Sequence, residues 1–437
     1  MSKTGPNIIL FLTDDHARWA LPSYGNGAVH APNLSALAAR GIVYEDAYTA
    51  SPVCSPARAS LLTGLMPSEH GVHDFLASNP KFDGHNWLEG IPTLATALRA
   101  AGYRCGLVGK WHLAMDSTPP AGFESWYALN GEYPIHHEGD NGFSRNGVQE
   151  RVVGNLTDAI TAGALDFLEE ADDRPYFLIV GYYATHSPWS DQPSRLVDLY
   201  ATHDFVEIDQ KGPIAPGLLN VELAGADEAG RRAARQNYYA AVSHIDEGVG
   251  QVLAAVDGSR TLAIYTADHG LSLGQHGIFG KGNATRPQNL LDDNIRIPLI
   301  VAGPGVAPGE RVSGFFDHTD THQMILAAAG LGHRALPENK ALQFCEYGTA
   351  RMVRTKSHKL VTWTNGSPSQ LYQVGEVGEL RLDPAADPSL EPLVRALEQA
   401  VSAFFDHHSD PSRSGPEALR QGRYNHNQAW DSFVPRA

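Results

Sequence analysis

Short, unbroken apolar runs that end in polar residues set the strongest limit on how this chain can fold. Four such runs read as strands buried on both faces: residues 7–13, 103–108, 174–183 and 261–266. Helices are predicted between them: residues 31–41, 91–102 and 236–256. This alternation predicts an α/β fold, with a doubly wound, mainly parallel sheet flanked by helices.

The length of the chain indicates more than one domain. A chain of 437 residues exceeds the size at which a single core usually stops growing. Beyond about residue 337 the pattern changes to alternating strands, a turn at Asn365-Gly366 and an amphipathic helix over residues 390–405. We therefore predict a large catalytic domain over residues 1–336. Residues 337–437 should form a small antiparallel sheet with one helix, followed by a tail.

Charge and cysteine content exclude several function classes. The 49 acidic residues outnumber the 33 basic ones, so nucleic acid is not expected as a partner. An anionic substrate must then be attracted by a local cationic pocket. Three dispersed cysteines give neither a disulfide framework nor zinc-ligand spacing. Residues 1–6 show no signal-peptide pattern and no membrane span is visible, so a cytoplasmic enzyme without a membrane partner is expected.

Residues 51–64 place a cysteine at the start of a predicted helix. Pro56 is tolerated in the first turn, where backbone amides lack intrahelical partners. A side chain at this end faces free N–H groups and the positive end of the helix dipole. Cys54 is therefore a candidate reactive group for an anionic substrate, and Arg58 is one turn away. The alternative is a buried cysteine that acts as a small apolar side chain.

The motif Cys-x-Pro-x-Arg, followed by Ala-Ser-Leu-Leu-Thr-Gly, resembles the signature of the type I, formylglycine-dependent sulfatases of the alkaline phosphatase superfamily. The resemblance covers nearly the whole chain and implies an alkaline phosphatase-like fold. It also implies that Cys54 is oxidised to formylglycine by a formylglycine-generating or sulfatase-maturing enzyme. The hydrate of that aldehyde would be the nucleophile.

Acidic residues follow two of the predicted strands. Asp14 and Asp15 come after the first, and Asp268-His269 follows the strand at 261–266. Open α/β sheets place their sites at such strand ends, although aspartates there also form turns and helix caps. The resemblance implies that these residues, with Cys54, bind a divalent metal. Ca²⁺ is the first candidate, with Mn²⁺ or Mg²⁺ as alternatives, because His269 stands where many sulfatases have Asn and imidazole suits Mn²⁺ better than Ca²⁺.

Four further cationic or titratable residues stand near strand ends or in a glycine-rich loop. Lys110 and His112 follow the strand at 103–108, and an extended backbone would point both to one side. His186 precedes Ser187-Pro188, and Lys281 lies in the loop. Solvated or structural side chains are the alternative in each case. The resemblance implies that the two lysines and His186 contact the sulfate or leaving group, and that His112 acts as the base.

Together these motifs and the resemblance imply a sulfatase that hydrolyses aryl, carbohydrate or alkyl sulfate monoesters. The alternatives are a phosphonate monoester hydrolase or phosphodiesterase of the same superfamily, or a non-catalytic protein that binds sulfated ligands. Specificity is expected from the loops at 81–87 and 131–142. Residues 116–154 are predicted to be an irregular loop that forms part of the substrate pocket or is merely structural. A homo-oligomer is compatible with the tail at 420–437, which could reach a neighbouring subunit or be a free end.

Overall fold

The fold is built on one large mixed sheet. The computed structural model describes residues 5–76, 86–113, 117–130, 136–170, 172–208, 223, 226–332, 340–375 and 378–414. The strands of the large sheet, in chain order, are β1 (Asn7–Thr13), β2 (Ile42–Tyr48), β3 (Arg104–Gly109), β4 (Ser125–Leu129), β5 (Glu138–Arg145), β6 (Val148–Asn155), β7 (Tyr176–Gly181), β8 (Thr261–Ala267), β11 (Leu299–Ala302) and β12 (Glu310–Asp317). A short ribbon follows β8 and consists of β9 (Ser272–Leu273) and β10 (Phe279–Gly280).

The centre of this sheet is parallel. The spatial order is β12-β2-β11-β8-β1-β7-β3-β4-β5-β6. The pairs from β8 through β1, β7 and β3 to β4 are parallel, as is β2 with β12. The β11 strand and the β5–β6 hairpin pair antiparallel to their neighbours. The predicted mainly parallel sheet is confirmed.

Helices cover both faces of the sheet. They are α1 (Pro32–Ala39), α2 (Cys54–Thr63), α3 (Pro67–His70), α4 (Leu94–Ala100), α5 (Leu156–Glu169), α6 (Ser194–Val197), α7 (Glu228–Ala254), α8 (Asp292–Ile295), α9 (His318–Ala328) and α10 (Glu391–His407). On β1, Ile9 and Phe11 pack in the core with α1, α5 and α7, whereas Ile8 and Leu10 pack in the core with α2, α4 and α9. Because successive strand residues point to opposite faces, a continuous apolar run is what a doubly covered sheet requires.

A small antiparallel sheet follows in the C-terminal part. Its strands run in chain order as β13 (Gln343–Tyr347), β14 (Ala350–Arg354), β15 (His358–Trp363), β16 (Gln370–Gly375) and β17 (Gly378–Leu382). The amphipathic helix α10 packs on it through Leu397, Val401 and Phe405. The predicted sheet-plus-helix is confirmed. The boundary predicted at 336/337 lies outside the described residues, so the division into two domains stays a prediction.

The prediction of an irregular loop over residues 116–154 is wrong. The region contains β4, β5 and most of β6, which extend the sheet to its edge. Asn146 and Gly147 join β5 to β6 with φ values of 50° and 94°, the left-handed geometry of a two-residue hairpin turn. The outer hairpin is only partly buried and carries many polar residues, so its strands lack the apolar runs that indicate the central ones. The helix predicted from residue 236 begins earlier, at Glu228.

Among the described residues, no helix is both long and apolar enough to span a lipid bilayer.

Candidate active site

The carboxyl ends of the central parallel strands meet at one edge of the sheet, and the predicted site residues gather there. Asp14 and Asp15 follow β1, Asp268 and His269 follow β8, and Lys110 follows β3. All five side chains are buried. The structure brings together every site residue predicted from the sequence: Asp14, Asp15, Cys54, Arg58, Lys110, His112, His186, Asp268, His269 and Lys281. Their chemical roles remain predictions.

Cys54 is the first residue of α2 and lies at the centre of this cluster. Its Sγ is 3.3 Å from both Asp14 Oδ1 and His269 Nε2. The Nζ of Lys281 lies 3.2 Å from the same sulfur. Burial alone would raise the pKa of the thiol, but Lys110, Lys281 and His269 outweigh it and hold that pKa well below its usual range.

The other two cysteines show how burial alone changes the pKa of a thiol in this protein. Burial raises the pKa of Cys105 to about 12, and it raises the pKa of Cys345 as well. Neither lies in a group of side chains that could hold a metal ion among the described residues. The low pKa of Cys54 is therefore a property of its surroundings, and the alternative of an inert apolar cysteine does not fit them.

The carboxylates and His269 fit a divalent metal. Asp14, Asp15, Cys54 and His269 each place one ligand atom so that all four atoms lie within 4.8 Å of one another. His269 Nδ1 donates to the Gly270 carbonyl at 2.9 Å, which turns Nε2 toward the carboxylates, 3.2 Å from Asp15 Oδ1. This is how proteins usually orient a metal-binding imidazole. Burial would lower the pKa of His269, but Asp268 and the other anions outweigh it and raise that pKa to about 9, so a metal ion would displace the Nε2 proton.

Asp268 lies beside these four residues and is held by two backbone amides and by Arg58. Its Oδ1 accepts hydrogen bonds from the backbone amides of Asp15 and His269, and its Oδ2 is 2.9 Å from Arg58 Nε. Burial and the charge of Asp14 raise the pKa of Asp268 to about 7 despite the ion pair. The ionised form of Asp268 is therefore disfavoured here, and a bound divalent cation would stabilise it.

Three cations face the three carboxylates. The ammonium of Lys110 pairs with Asp14, and Lys281 Nζ is 2.7 Å from Asp15 Oδ1. Arg58 donates to Asp268 through Nε and to the Lys110 carbonyl through Nη1 at 3.0 Å. Its Nη2 is buried and has no hydrogen-bond partner in the described part of the chain. A divalent cation would give this balanced pocket a net positive charge, and an anion's oxygen would satisfy the Arg58 Nη2 group.

Two histidines reach the thiol with opposite protonation preferences. His112 Nε2 donates to the Leu76 carbonyl at 2.8 Å, so its Nδ1 is the unprotonated nitrogen. Burial and Lys110 lower the pKa of His112, which keeps the ring neutral at pH 7. Burial and Lys281 also act to lower the pKa of His186, but Asp15, Asp14 and Cys54 outweigh them, and that pKa is raised. Protonation is therefore disfavoured for His112 and favoured for His186.

The backbone at His112 differs from the prediction. Its φ of 66° is left-handed, so Lys110 and His112 do not lie on an extended segment. The turn, rather than strand alternation, brings the imidazole back toward Cys54, while Lys110 reaches Asp14.

Several contacts that orient the site residues were not predicted from the sequence. Ser55 Oγ accepts from the Leu76 amide at 2.9 Å, which ties the start of α2 to the carbonyl that orients His112. His186 Nδ1 donates to the Ser187 carbonyl at 2.7 Å and contacts the Tyr183 hydroxyl at 3.1 Å, which turns its Nε2 toward the cluster. The Leu76 and Ser187 acceptors are backbone carbonyls, which carry no sequence signal. The strand-end position of Tyr183 is the one available hint.

Known proteins resemble this chain over most of its length. The sulfatase family model matches residues 6–331. The chain belongs to the sulfatase family. A curated relative is the choline-sulfatase of Rhizobium meliloti (strain 1021), which is 30% identical over 350 residues. That match covers 71% of this chain and 65% of the choline-sulfatase, so the chain spans just under two thirds of that relative.

Solved structures share the fold over nearly all of this family member. BT4656, solved in complex with its substrate D-glucosamine-2-N,6-O-disulfate, has a TM-score of 0.75 at 21% identity and covers 94% of this chain and 99% of its own. The phosphonate monoester hydrolase of Agrobacterium radiobacter has a TM-score of 0.70 at 18% identity, and the match covers 92% of this chain and 96% of the hydrolase.

The loops predicted to set specificity, at 81–87 and 131–142, lie partly outside the described residues, and the tail at 420–437 lies wholly outside them.

Proposed function

We propose that this chain is a hydrolase of sulfate monoesters that uses a formylglycine derived from Cys54 and a divalent metal, with saccharide sulfates as its substrate class. The observation that carries the proposal is the buried pocket in which Cys54 is surrounded by a metal-binding set and by three cations. A sulfate ester is an anion that repels nucleophiles. Its transfer therefore requires positive charge on the sulfate and a nucleophile held close to sulfur.

The cations of this chain are proposed to bind the sulfate. The partnerless Nη2 of Arg58 and the ammonium groups of Lys110 and Lys281 surround the Cys54 position. All three groups are largely buried, so their charges are poorly screened by solvent. They would stabilise the charge that develops on the sulfate oxygens as the ester bond breaks.

The two histidines are proposed to move the protons. The Nδ1 of His112, unprotonated because Nε2 is committed to Leu76, would accept the proton of the hydroxyl group at Cys54. His186, whose raised pKa favours the protonated ring, would donate to the leaving oxygen from Nε2. Lys281 lies close enough to Cys54 to assist as a second donor.

The metal would be held by Asp14, Asp15, His269 and the oxygen at the Cys54 position, with Asp268 supporting it from the side. When bound, it supplies a Lewis acid that lowers the pKa of the nucleophile's hydroxyl and neutralises sulfate charge. Ca²⁺ fits the carboxylates, and His269 adds a ligand that suits Mn²⁺. We propose that a formylglycine-generating enzyme converts Cys54.

The substrate class rests on the relatives. BT4656 was solved with a disulfated glucosamine and shares the fold over 94% of this chain. The curated relative acts on choline sulfate by its name, which makes choline sulfate the first non-saccharide to test. The net charge of −16 means that a polyanionic substrate must reach a local cationic pocket against the charge of the whole protein.

The test compares converted and unconverted protein on a panel of esters. The chain is produced with and without a formylglycine-generating enzyme, and mass spectrometry of the Cys54 peptide measures conversion. Hydrolysis of sulfated glucosamines, choline sulfate and an aryl sulfate is expected only from converted, metal-loaded protein. Cys54→Ala should abolish turnover, while the matched variant Cys105→Ala, which changes a buried thiol outside the site, should retain it. Turnover by fully unconverted protein contradicts the proposal.

A phosphonate monoester hydrolase is the second candidate. It is favoured by His269 and by the likeness to the Agrobacterium enzyme over 92% of the chain. Phosphonate monoesters and sulfate monoesters both carry one negative charge, so the same pocket would accept either. The ratio of kcat/KM for an aryl sulfate to that for an aryl phosphonate monoester decides between them. A strong preference for the phosphonate favours this second candidate over the sulfatase proposal.

A further inference from the structure

We propose that, before Cys54 is converted, the same pocket is a thiolate-containing site that binds Zn²⁺ in preference to Ca²⁺. Conversion of the sulfur to an oxygen nucleophile then weakens that preference. The unconverted chain would be a zinc-binding protein rather than an empty precursor. The inference rests on the proposed function in placing the metal in this pocket.

The spacing of the four ligand atoms is close to that of a tetrahedral zinc site. Bonds of about 2.3 Å to sulfur and ~2.0 Å to nitrogen or oxygen place neighbouring ligand atoms about 3.3–3.6 Å apart. Cys54 Sγ is 3.3 Å from Asp14 Oδ1 and 3.3 Å from His269 Nε2. His269 Nε2 is 3.2 Å from Asp15 Oδ1 and 4.0 Å from Asp14 Oδ1. Three of these four distances lie at the tetrahedral spacing, and the four residues offer ligand atoms that all lie within 4.8 Å of one another, so the ligands must draw together when zinc binds.

The ligands are buried away from water and anchored by three separate elements. They come from the end of β1, the end of β8 and the first residue of α2, and none of the four is more than 2% exposed. The Gly270 carbonyl fixes the imidazole of His269 with Nε2 toward the sulfur. Such orientation of the outer ring nitrogen commonly tunes zinc affinity.

The identity of the donors selects the metal. One thiolate, one imidazole and two carboxylates are a donor set that suits Zn²⁺, whereas Ca²⁺ takes six to eight oxygen ligands and gains little from sulfur. Replacing the sulfur with oxygen removes the softest ligand, so the preference for Zn²⁺ should fall. No zinc-ligand spacing appears in the sequence because the four ligands come from three distant segments.

Without a metal, lysine ammonium groups contact the anionic ligand atoms, and zinc would take their place. Lys281 Nζ lies 3.2 Å from Cys54 Sγ and 2.7 Å from Asp15 Oδ1, so it must move aside when a cation enters. A zinc–sulfur bond forms, any proton on the thiol passes to the buffer, and no atom is oxidised or reduced. Lys281 would then be free to face an anion in the pocket.

The experiment titrates Co²⁺, a spectroscopic substitute for zinc, into chain whose Cys54 is verified as a thiol by mass spectrometry. A thiolate-to-cobalt absorption band in the near ultraviolet is expected at one metal per chain, and Zn²⁺ should remove it. Cys54→Ser is the matched control, because it keeps every other ligand and both Cys105 and Cys345. It should lose the band and reduce the preference for Zn²⁺ over Ca²⁺ at least about tenfold.

A second measurement needs no variant. Zinc should slow alkylation of Cys54 in the unconverted protein at least about tenfold, and Ca²⁺ should not. The inference is overturned if the band persists in Cys54→Ser or if zinc gives no protection. If the converted protein still hydrolyses sulfate esters in that case, only the zinc inference fails and the proposed function is retained. If neither form binds a metal and no ester is hydrolysed, both proposals fail.

Discussion

Replacing His112 with glutamine separates the two functions that this side chain has in the structure. His112 Nε2 donates to the Leu76 carbonyl at 2.8 Å, which leaves its unprotonated Nδ1 for the Cys54 position. A glutamine amide can keep the donation to Leu76, but it cannot accept a proton. His112→Gln should therefore fold like the wild type and lose the base, whereas His112→Ala should lose both functions.

The two losses differ in size and can be measured separately. General-base catalysis contributes about 10² to 10⁴-fold, or ~3–5 kcal/mol of barrier, so both variants should lose that much kcat/KM. The hydrogen bond to Leu76 is worth about 1 kcal/mol of unfolding free energy, and an unsatisfied carbonyl adds to its loss. Only His112→Ala should lower the free energy of unfolding, as measured by chemical denaturation.

The pH dependence supplies an independent check. Burial and Lys110 lower the pKa of His112 below its ordinary 6.5, and a cation bound by the carboxylates acts in the same direction. Because the base must be unprotonated, kcat/KM of the wild type should stay high near neutral pH. It should fall only as the pH drops through that lowered pKa. Converted, metal-loaded His112→Gln should lack this acid limb on an aryl sulfate. Wild-type kcat/KM in His112→Gln, or an unchanged acid limb, would refute the reasoning.

Four further outcomes are expected. Arg58→Lys loses the guanidinium that donates to both Asp268 and the Lys110 carbonyl. This variant should lose ~3 kcal/mol of unfolding free energy, measured by denaturation, and at least about 10²-fold in kcat/KM, measured by enzyme kinetics. Tyr183→Phe removes the hydroxyl 3.1 Å from His186 Nδ1 and should lower kcat about fivefold with little change in KM. Chelation should lower the thermal midpoint and abolish turnover reversibly, by calorimetry and assay. Asp246→Ala removes the carboxylate that accepts hydrogen bonds from the first amides of α1. It should lower the free energy of unfolding by about 1–3 kcal/mol, measured by denaturation, and leave kcat unchanged.

Most of the central fold follows from local sequence patterns. Fully apolar runs such as β1 can be buried only between two layers, and the helices predicted between them supply those layers. The outer hairpin β5–β6 was missed because half-exposed edge strands carry polar residues and no such run. Its Asn146-Gly147 turn was the signal that would have revealed it.

The sequence by itself determined which chemical groups enter the site. Asp14, Asp15 and Asp268 stand directly after buried strands, and parallel strands deliver their carboxyl ends to one edge whatever the loops do. Cys54 and Arg58 share one short motif, so their proximity is local.

Only the tertiary structure decided how those groups are oriented and charged. The tautomer of His112 depends on the carbonyl of Leu76, which is 36 residues away, and the direction of His186 depends on a carbonyl and on the Tyr183 hydroxyl. The low pKa of the Cys54 thiol depends on lysines from two other segments. A backbone carbonyl is the same in every residue, and a pKa depends on distances between segments. Neither property is encoded in residue type or spacing, so both arise only when the chain is folded.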